Sequence, residues 1–186
     1  MKQKTENMLC LAFMELLRKY PFPKITIQKI AEQCGVNRQT FYYHFDNIYD
    51  LMTQAFEYEL IHESHMYEEK SWEAAMEKFL GWMQNNRVII KNILSNVETR
   101  YLRHAIYPII EKSMSSEYIP NQIIKANGET SENFVRHFMI LGITQYVLEW
   151  AENDFRETVE DMIRQIFFIL RKVYSQNDIK HIQCQN

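Results

Sequence analysis

Arg38, Gln39 and Thr40 stand in a row, and Tyr42, Tyr43 and His44 follow within a turn. This set pairs no nucleophile with a base. It offers hydrogen bonds of fixed geometry instead. Arg suits bidentate contact with guanine and Gln with adenine, while a Thr methyl can meet a thymine methyl. Placed at the start of a helix, the same side chains would also profit from the positive end of the helix dipole, which favours phosphate.

Other chemistries find less support. His62-Glu63-Ser64-His65 carries a His pair at i, i+3 but lacks the spacing of the zinc-protease helix, and it reads as a solvated helix face. His104, His137 and His181 have no nearby partner set. No Gly-x-Ser-x-Gly, phosphate loop or dinucleotide fingerprint occurs. No catalytic residue, metal site or cofactor is expected, and the chain is not expected to be an enzyme. Cys10, Cys34 and Cys184 match no disulfide or zinc spacing, which suggests a reducing compartment. Cys10 and Cys34 read as small hydrophobes on buried helix faces. The segment Met8–Leu17 is broken by Glu15 and runs into Arg18-Lys19, unlike a signal peptide. No apolar run approaches the roughly 18 residues of a membrane span. The expected setting is cytoplasmic, with no membrane partner.

The elements that must position these residues are helices. Gly and Pro occur only four times each among 186 residues, too few for a fold with many turns. The first helix is predicted over 3–19, ended by Pro21 and Pro23. Thr26 can cap a second helix. Its residues Ile27, Ile30, Ala31 and Cys34 share one face. Gly35 follows where a left-handed residue is wanted, and Asn37 can cap a third helix from Arg38 to about Phe45. Asp46-Asn47 should end it and cap a fourth, from Ile48 to about His65. Further helices are expected near 70–84, 86–96, 98–114, 131–152 and 155–175, with Pro108 kinking or splitting the third of these. A loop is expected at Ser115–Thr130 and a frayed tail from Gln176. The fold class is therefore all-α, a helix-turn-helix domain over 1–47 followed by a larger helical domain over 48–186. Charge agrees in sign. Residues 1–50 carry seven basic and five acidic residues, and the remainder fourteen and nineteen.

The stretch from Ile25 to Phe45, above all Thr40-Phe41-Tyr42-Tyr43-His44-Phe45, resembles the DNA-binding signature of the TetR/AcrR family of transcriptional regulators. Gly142–Trp150 and the acidic amphipathic helix after it are similar to a C-terminal domain common in that family. The resemblance implies a one-component regulator, a repressor in the family's usual mode, that binds palindromic double-stranded DNA as a homodimer and is released by a small-molecule effector. Thr26, Gln28, Tyr42 and His44 would contact phosphates, and Arg38, Gln39, Thr40 and Tyr43 would face bases, with Asn37 at the helix start. One departure stands out. Ile48 occupies the place where the family has a phosphate-binding Lys, and Asp46 lies two residues before it.

A homodimer is expected through a four-helix bundle built from the last two helices. Phe134, Phe138, Leu141, Gln145 and Leu148 would supply one side, and Met162, Ile166, Phe167 and Leu170 the other. An effector pocket is expected among Trp72, Phe79, Trp82, Met83, Tyr101, His104, Tyr107, Phe138, Tyr146 and Trp150, which would suit a small amphipathic or aromatic ligand. Two other functions fit parts of the pattern: a ligand-binding partner protein that has lost DNA binding, and an all-α enzyme or metal sensor.

Overall fold

The computed structural model describes residues 2–62, 64–69, 71–114 and 129–175, with side chains described at 133–169 of the last stretch. All but the end of the loop expected at Ser115–Thr130, and the tail from Gln176, lie outside the described residues. Among those described there are α-helices and short 3₁₀ turns but no strand.

Helix α1 (Lys2–Lys19) buries Leu9, Cys10, Ala12, Phe13, Met14, Leu16 and Leu17. Pro21 and Pro23 bracket a 3₁₀ turn at Phe22–Lys24 that ends it. The last carbonyls of α1 find a partner in a distant residue. Asn92 Nδ2 donates to the Leu17 and Tyr20 carbonyls at 3.0 and 2.7 Å, and its Oδ1 accepts from the Phe22 N–H at 2.9 Å.

Helices α2 (Ile27–Gln33) and α3 (Arg38–His44) have seven residues each. Helices this short are unstable alone, so their caps and their packing matter more than propensity. Thr26 Oγ1 accepts from the Lys29 N–H at 3.2 Å, and Asn37 Oδ1 from the Thr40 N–H at 2.8 Å. Gly35 joins the two helices at φ +66°, and a Cβ there would meet nothing within 4 Å. Ile30, Ala31, Phe41 and Phe45 are buried in the seam.

Helix α4 (Ile48–His62) is capped by Asn47, whose Oδ1 accepts from the Tyr49 and Asp50 N–H groups. It ends three residues earlier than predicted, where His65 takes a left-handed φ of 52°. Helices α5 (Trp72–Asn85), α6 (Arg87–Asn96) and α7 (Thr99–Ser113) follow. Pro108 does not split α7. The carbonyl it leaves without a donor belongs to His104, and both residues are exposed to water, while Leu102, Ala105, Ile106, Ile109 and Ile110 bury the opposite face.

Helices α8 (Glu129–Glu152) and α9 (Val159–Ser175) complete the described chain. Helix α9 starts four residues later than predicted. Asp154 and Phe155 sit at left-handed φ values of 65° and 55°, and Thr158 Oγ1 caps α9 by accepting from the Asp161 N–H at 3.1 Å. Lys91 on α6 hydrogen-bonds Asp154, and that bond together with its charge holds the carboxyl below the usual carboxylate range.

One hydrophobic core runs from Leu9 to Ile166. Helix α4 packs against both α1 and α7, α6 touches α1 and α8, and α5 packs on α9. At the junction lies Glu59, 1% exposed. Its Oε1 accepts from Arg18 Nη2 of α1 at 2.8 Å and its Oε2 from the Trp82 indole N–H of α5 at 3.1 Å.

Two stability changes follow, both read by urea denaturation. Glu59→Ala should lower the unfolding free energy by about 2–3 kcal/mol, because the Trp82 N–H loses its partner in the core and Arg18 at the rim is left with Asn86. A loss under about 0.5 kcal/mol would show that the carboxylate does not hold the junction. Gly35→Ala should cost about 1 kcal/mol, through the left-handed backbone alone, since the added methyl meets no neighbour.

Candidate nucleic-acid interface

Helix α3 presents its polar side chains away from the core. Arg38 and Gln39 are exposed, Tyr42 is exposed, and Tyr43 is 73% exposed. Arg38 Nη2 donates to Tyr42 Oη at 2.9 Å, with the guanidinium 5.4 Å from the Tyr42 ring centroid. The two side chains thus order each other one turn apart. Thr40 is half-buried, and its hydroxyl donates to the Asn37 cap at 3.0 Å, so the hydroxyl is spent on the helix start. The first turn of α3 carries no acidic residue.

Thr26 and Gln28 lie at the exposed start of α2. Thr26 Oγ1 is the cap acceptor, and Gln28 Nε2 donates to Glu32 at 2.7 Å. Nearby, Lys29 Nζ stands 3.4 Å from the Tyr20 ring centroid. Ile48, where the resemblance implies a basic residue, is half-buried, and Asp46 two residues before it is exposed, its N–H donating to Asp50 Oδ2 at 3.2 Å.

His44 differs from its neighbours. Its side chain is 4% exposed, and Nδ1 lies 3.1 Å from Glu6 Oε1 on α1. Sequence reasoning groups His44 with the phosphate contacts and misses Glu6, since no spacing rule links residues 38 positions apart.

The residues expected around an effector occupy several separate places. Phe79 and Met83 are fully buried. Trp72 donates to Ser113 Oγ at 3.2 Å and packs on Phe167. Trp82 serves Glu59, as described. Tyr101 stacks on Tyr49 of α4 at 3.8 Å. His104 and Tyr107 border a shallow cleft with Arg100, Arg103 and Pro108, and Tyr107 Oη and His137 Nδ1 are 2.9 Å apart. Tyr146 Oη donates to Gln165, and the Trp150 indole donates to the Glu157 carbonyl at 2.9 Å, bracing the turn before α9.

The bundle residues divide in the same way. Phe134 and Phe138 are 68% and 64% exposed, Leu141 is exposed and Gln145 half-buried. Leu148, Met162 and Ile166 are instead buried within the protomer, and Phe167 faces Trp72. Leu148 is covered where α8 packs on α7 and α6, and the three residues of α9 where it packs inward on α5. The exposed apolar side of α9 is Phe168 and Ile169, which periodicity alone does not single out. The side chain of Leu170 lies outside the described residues.

Among the described residues no helix is long and apolar enough to cross a membrane, and no group of three or more His, Cys, Asp or Glu is placed to hold a metal ion.

Comparison with known proteins agrees with this geometry. The model for bacterial regulatory proteins of the tetR family matches residues 12–55, and the model for a transcriptional regulator C-terminal region matches residues 70–172. No curated protein matches significantly. Solved structures share the fold. The dihydroxyacetone kinase operon activator DhaS is 20% identical with a TM-score of 0.63, covering 92% of this chain and 97% of its own. A TetR transcriptional regulator from Streptococcus agalactiae 2603V is 20% identical with a TM-score of 0.57, covering 91% and 94%. The regulator FadR from Bacillus subtilis, solved with stearoyl-CoA, is 17% identical with a TM-score of 0.50, covering 88% and 96%. With a helix-turn-helix whose polar face is turned outward, and with family matches over both its head and more than half of its length, the chain belongs to the tetR family of bacterial transcriptional regulators.

Proposed function

We propose that this regulator acts as a repressor. It binds a palindromic operator as a homodimer, and a small-molecule effector releases it. The observation that carries the reading is the outward face of α3, where Arg38, Gln39, Tyr42 and Tyr43 are exposed on a helix fixed by its cap and its seam. Arg38, Gln39 and Tyr43 are assigned to bases, with the Thr40 methyl beside them. Tyr42, Thr26, Gln28 and the N-terminal end of α3 at Asn37 are assigned to phosphates.

The homodimer is supported by the exposed apolar side chains Phe134, Phe138 and Leu141 of α8 and Phe168 and Ile169 of α9. A surface of this kind is costly to leave in water. Two copies meeting here would form a four-helix bundle and set the spacing between two reading helices, about 34–36 Å for half-sites one turn apart.

Release is assigned to a population shift in the body. A cleft of about 580 Å³ lies between α4 and α7, bordered by Thr53, Gln54, Pro108, Ile109, Lys112 and Arg136. Arg136 Nε is buried there without a hydrogen-bond partner. Since α4 carries the head, a ligand that spreads this cleft would change the spacing of the two reading helices.

The direct test is titration of fluorescent duplexes from the DNA flanking the coding region. Arg38→Ala should weaken operator binding selectively by about 1–3 kcal/mol, while Tyr42→Ala should weaken operator and scrambled DNA about equally. If both variants bind the operator as tightly as the parent, α3 is not the reading helix. In parallel, Phe138→Glu should convert a two-subunit mass in light scattering to a one-subunit mass. An unchanged mass would remove α8 from the interface.

A further inference from the structure

The last turn of α3 is held by α1. A carboxylate can only accept, so the His44 nitrogen facing Glu6 at 3.1 Å is the protonated one. One turn before Glu6, Lys2 Nζ stands 5.8 Å from the centroid of the Tyr43 ring. One turn after it, Cys10 is buried, and burial together with the Glu6 charge pushes its thiol up to about 12. Lys2, Glu6 and Cys10 thus form one stripe of α1 along the end of the reading helix. The other end of α1 is bound to the body, by Arg18 to Glu59 and by the Leu17 and Tyr20 carbonyls to Asn92.

We propose that Glu6 is a positioning residue of the DNA-reading surface. Its pair with His44 fixes the angle of α3 on α1, and His44 serves this pair rather than a phosphate. The proposal rests on α3 being the reading helix. Two observations set it against the simpler role. The His44 side chain is 4% exposed, while Tyr42 and Tyr43 before it are exposed residues. Glu6 is a carboxylate beside a surface meant for phosphate, so on charge alone it weakens DNA binding. A carboxylate that positions α3 has the opposite effect on a specific site. Binding geometry tolerates only about 0.5 Å and roughly 10–20° of misplacement, and the Asn37 cap fixes α3 at its start while Glu6 holds its last turn.

The two roles predict opposite signs. Affinity would be measured for the operator and for a scrambled duplex across a salt series, with unfolding by urea alongside. The variants are Glu6→Ala, Glu6→Gln, His44→Ala and the double Glu6→Ala/His44→Ala. Glu6→Ala should weaken operator binding about tenfold and leave scrambled DNA within about twofold, with no change in salt slope. Glu6→Gln keeps an acceptor for His44 and should recover most of the loss. His44→Ala should match Glu6→Ala, and the double variant should be no worse than either single one.

If Glu6→Ala and Glu6→Gln both tighten binding to operator and scrambled DNA alike, Glu6 is only a repelling charge and the proposal falls. It also falls if His44→Ala weakens both duplexes equally and lowers the salt slope by about one, the mark of a lost phosphate contact. The parent protein separates this from the broader reading: a parent that does not distinguish operator from scrambled DNA overturns the assignment of α3 itself.

Discussion

A carboxylate can leave water only if donors replace its hydration, and Glu59 obtains them from two other helices. Arg18 of α1 and Trp82 of α5 converge on its two oxygens. The arrangement costs desolvation, which these charge-assisted hydrogen bonds offset. Much of the architecture depends on it. With α1 tied to α4 and α5 here, and to α6 through Asn92, the head and the body share one core. A tilt of the head would therefore disturb the half-buried hydrogen bonds of Arg18 to Glu59 and of Asn92 to the Leu17 carbonyl. That is the mechanical requirement for a body that controls how a reading helix is presented.

The head itself is built from pieces too short to be stable alone. Seven-residue helices survive because Thr26 and Asn37 satisfy their first N–H groups and because Phe41 and Phe45 fill the seam. Packing uses one side of α3 and caps use its start. The remaining side carries Arg38, Gln39, Tyr42 and Tyr43, exposed side chains that the packing of α3 does not require.

The body shows how one pattern serves two purposes. Apolar residues take more than one side of α8 and of α9. Leu148, Met162 and Ile166 close the protomer's own core, while Phe134, Phe138, Phe168 and Ile169 stand in water. The inward set of α9 is fixed by α5, which packs on it and brings Trp72 against Phe167, and that of α8 by α7 and α6. The turn between α8 and α9, with Phe155 in a left-handed conformation and Trp150 hydrogen-bonded across it, sets which sides are turned out.

Local rules were enough for everything that depends on near neighbours in the chain. Caps at Thr26, Asn37 and Asn47, the left-handed turn at Gly35 and the outward residues of α3 were all legible, because each is decided within about four residues. The all-α class and the helix-turn-helix also followed from composition and signature. Tertiary packing decided the rest. Pro108 sits in an unbroken helix on its exposed side, beside the equally exposed His104. Trp72, Trp82 and Trp150 donate hydrogen bonds to Ser113, Glu59 and Glu157, partners that aromatic content alone does not name. His44 met Glu6 across 38 residues. The physical reason is common to all of these. Periodicity states that side chains share a face, but which helix covers that face, and which polar groups must pair beneath it, is settled only when distant segments compete for the same buried space.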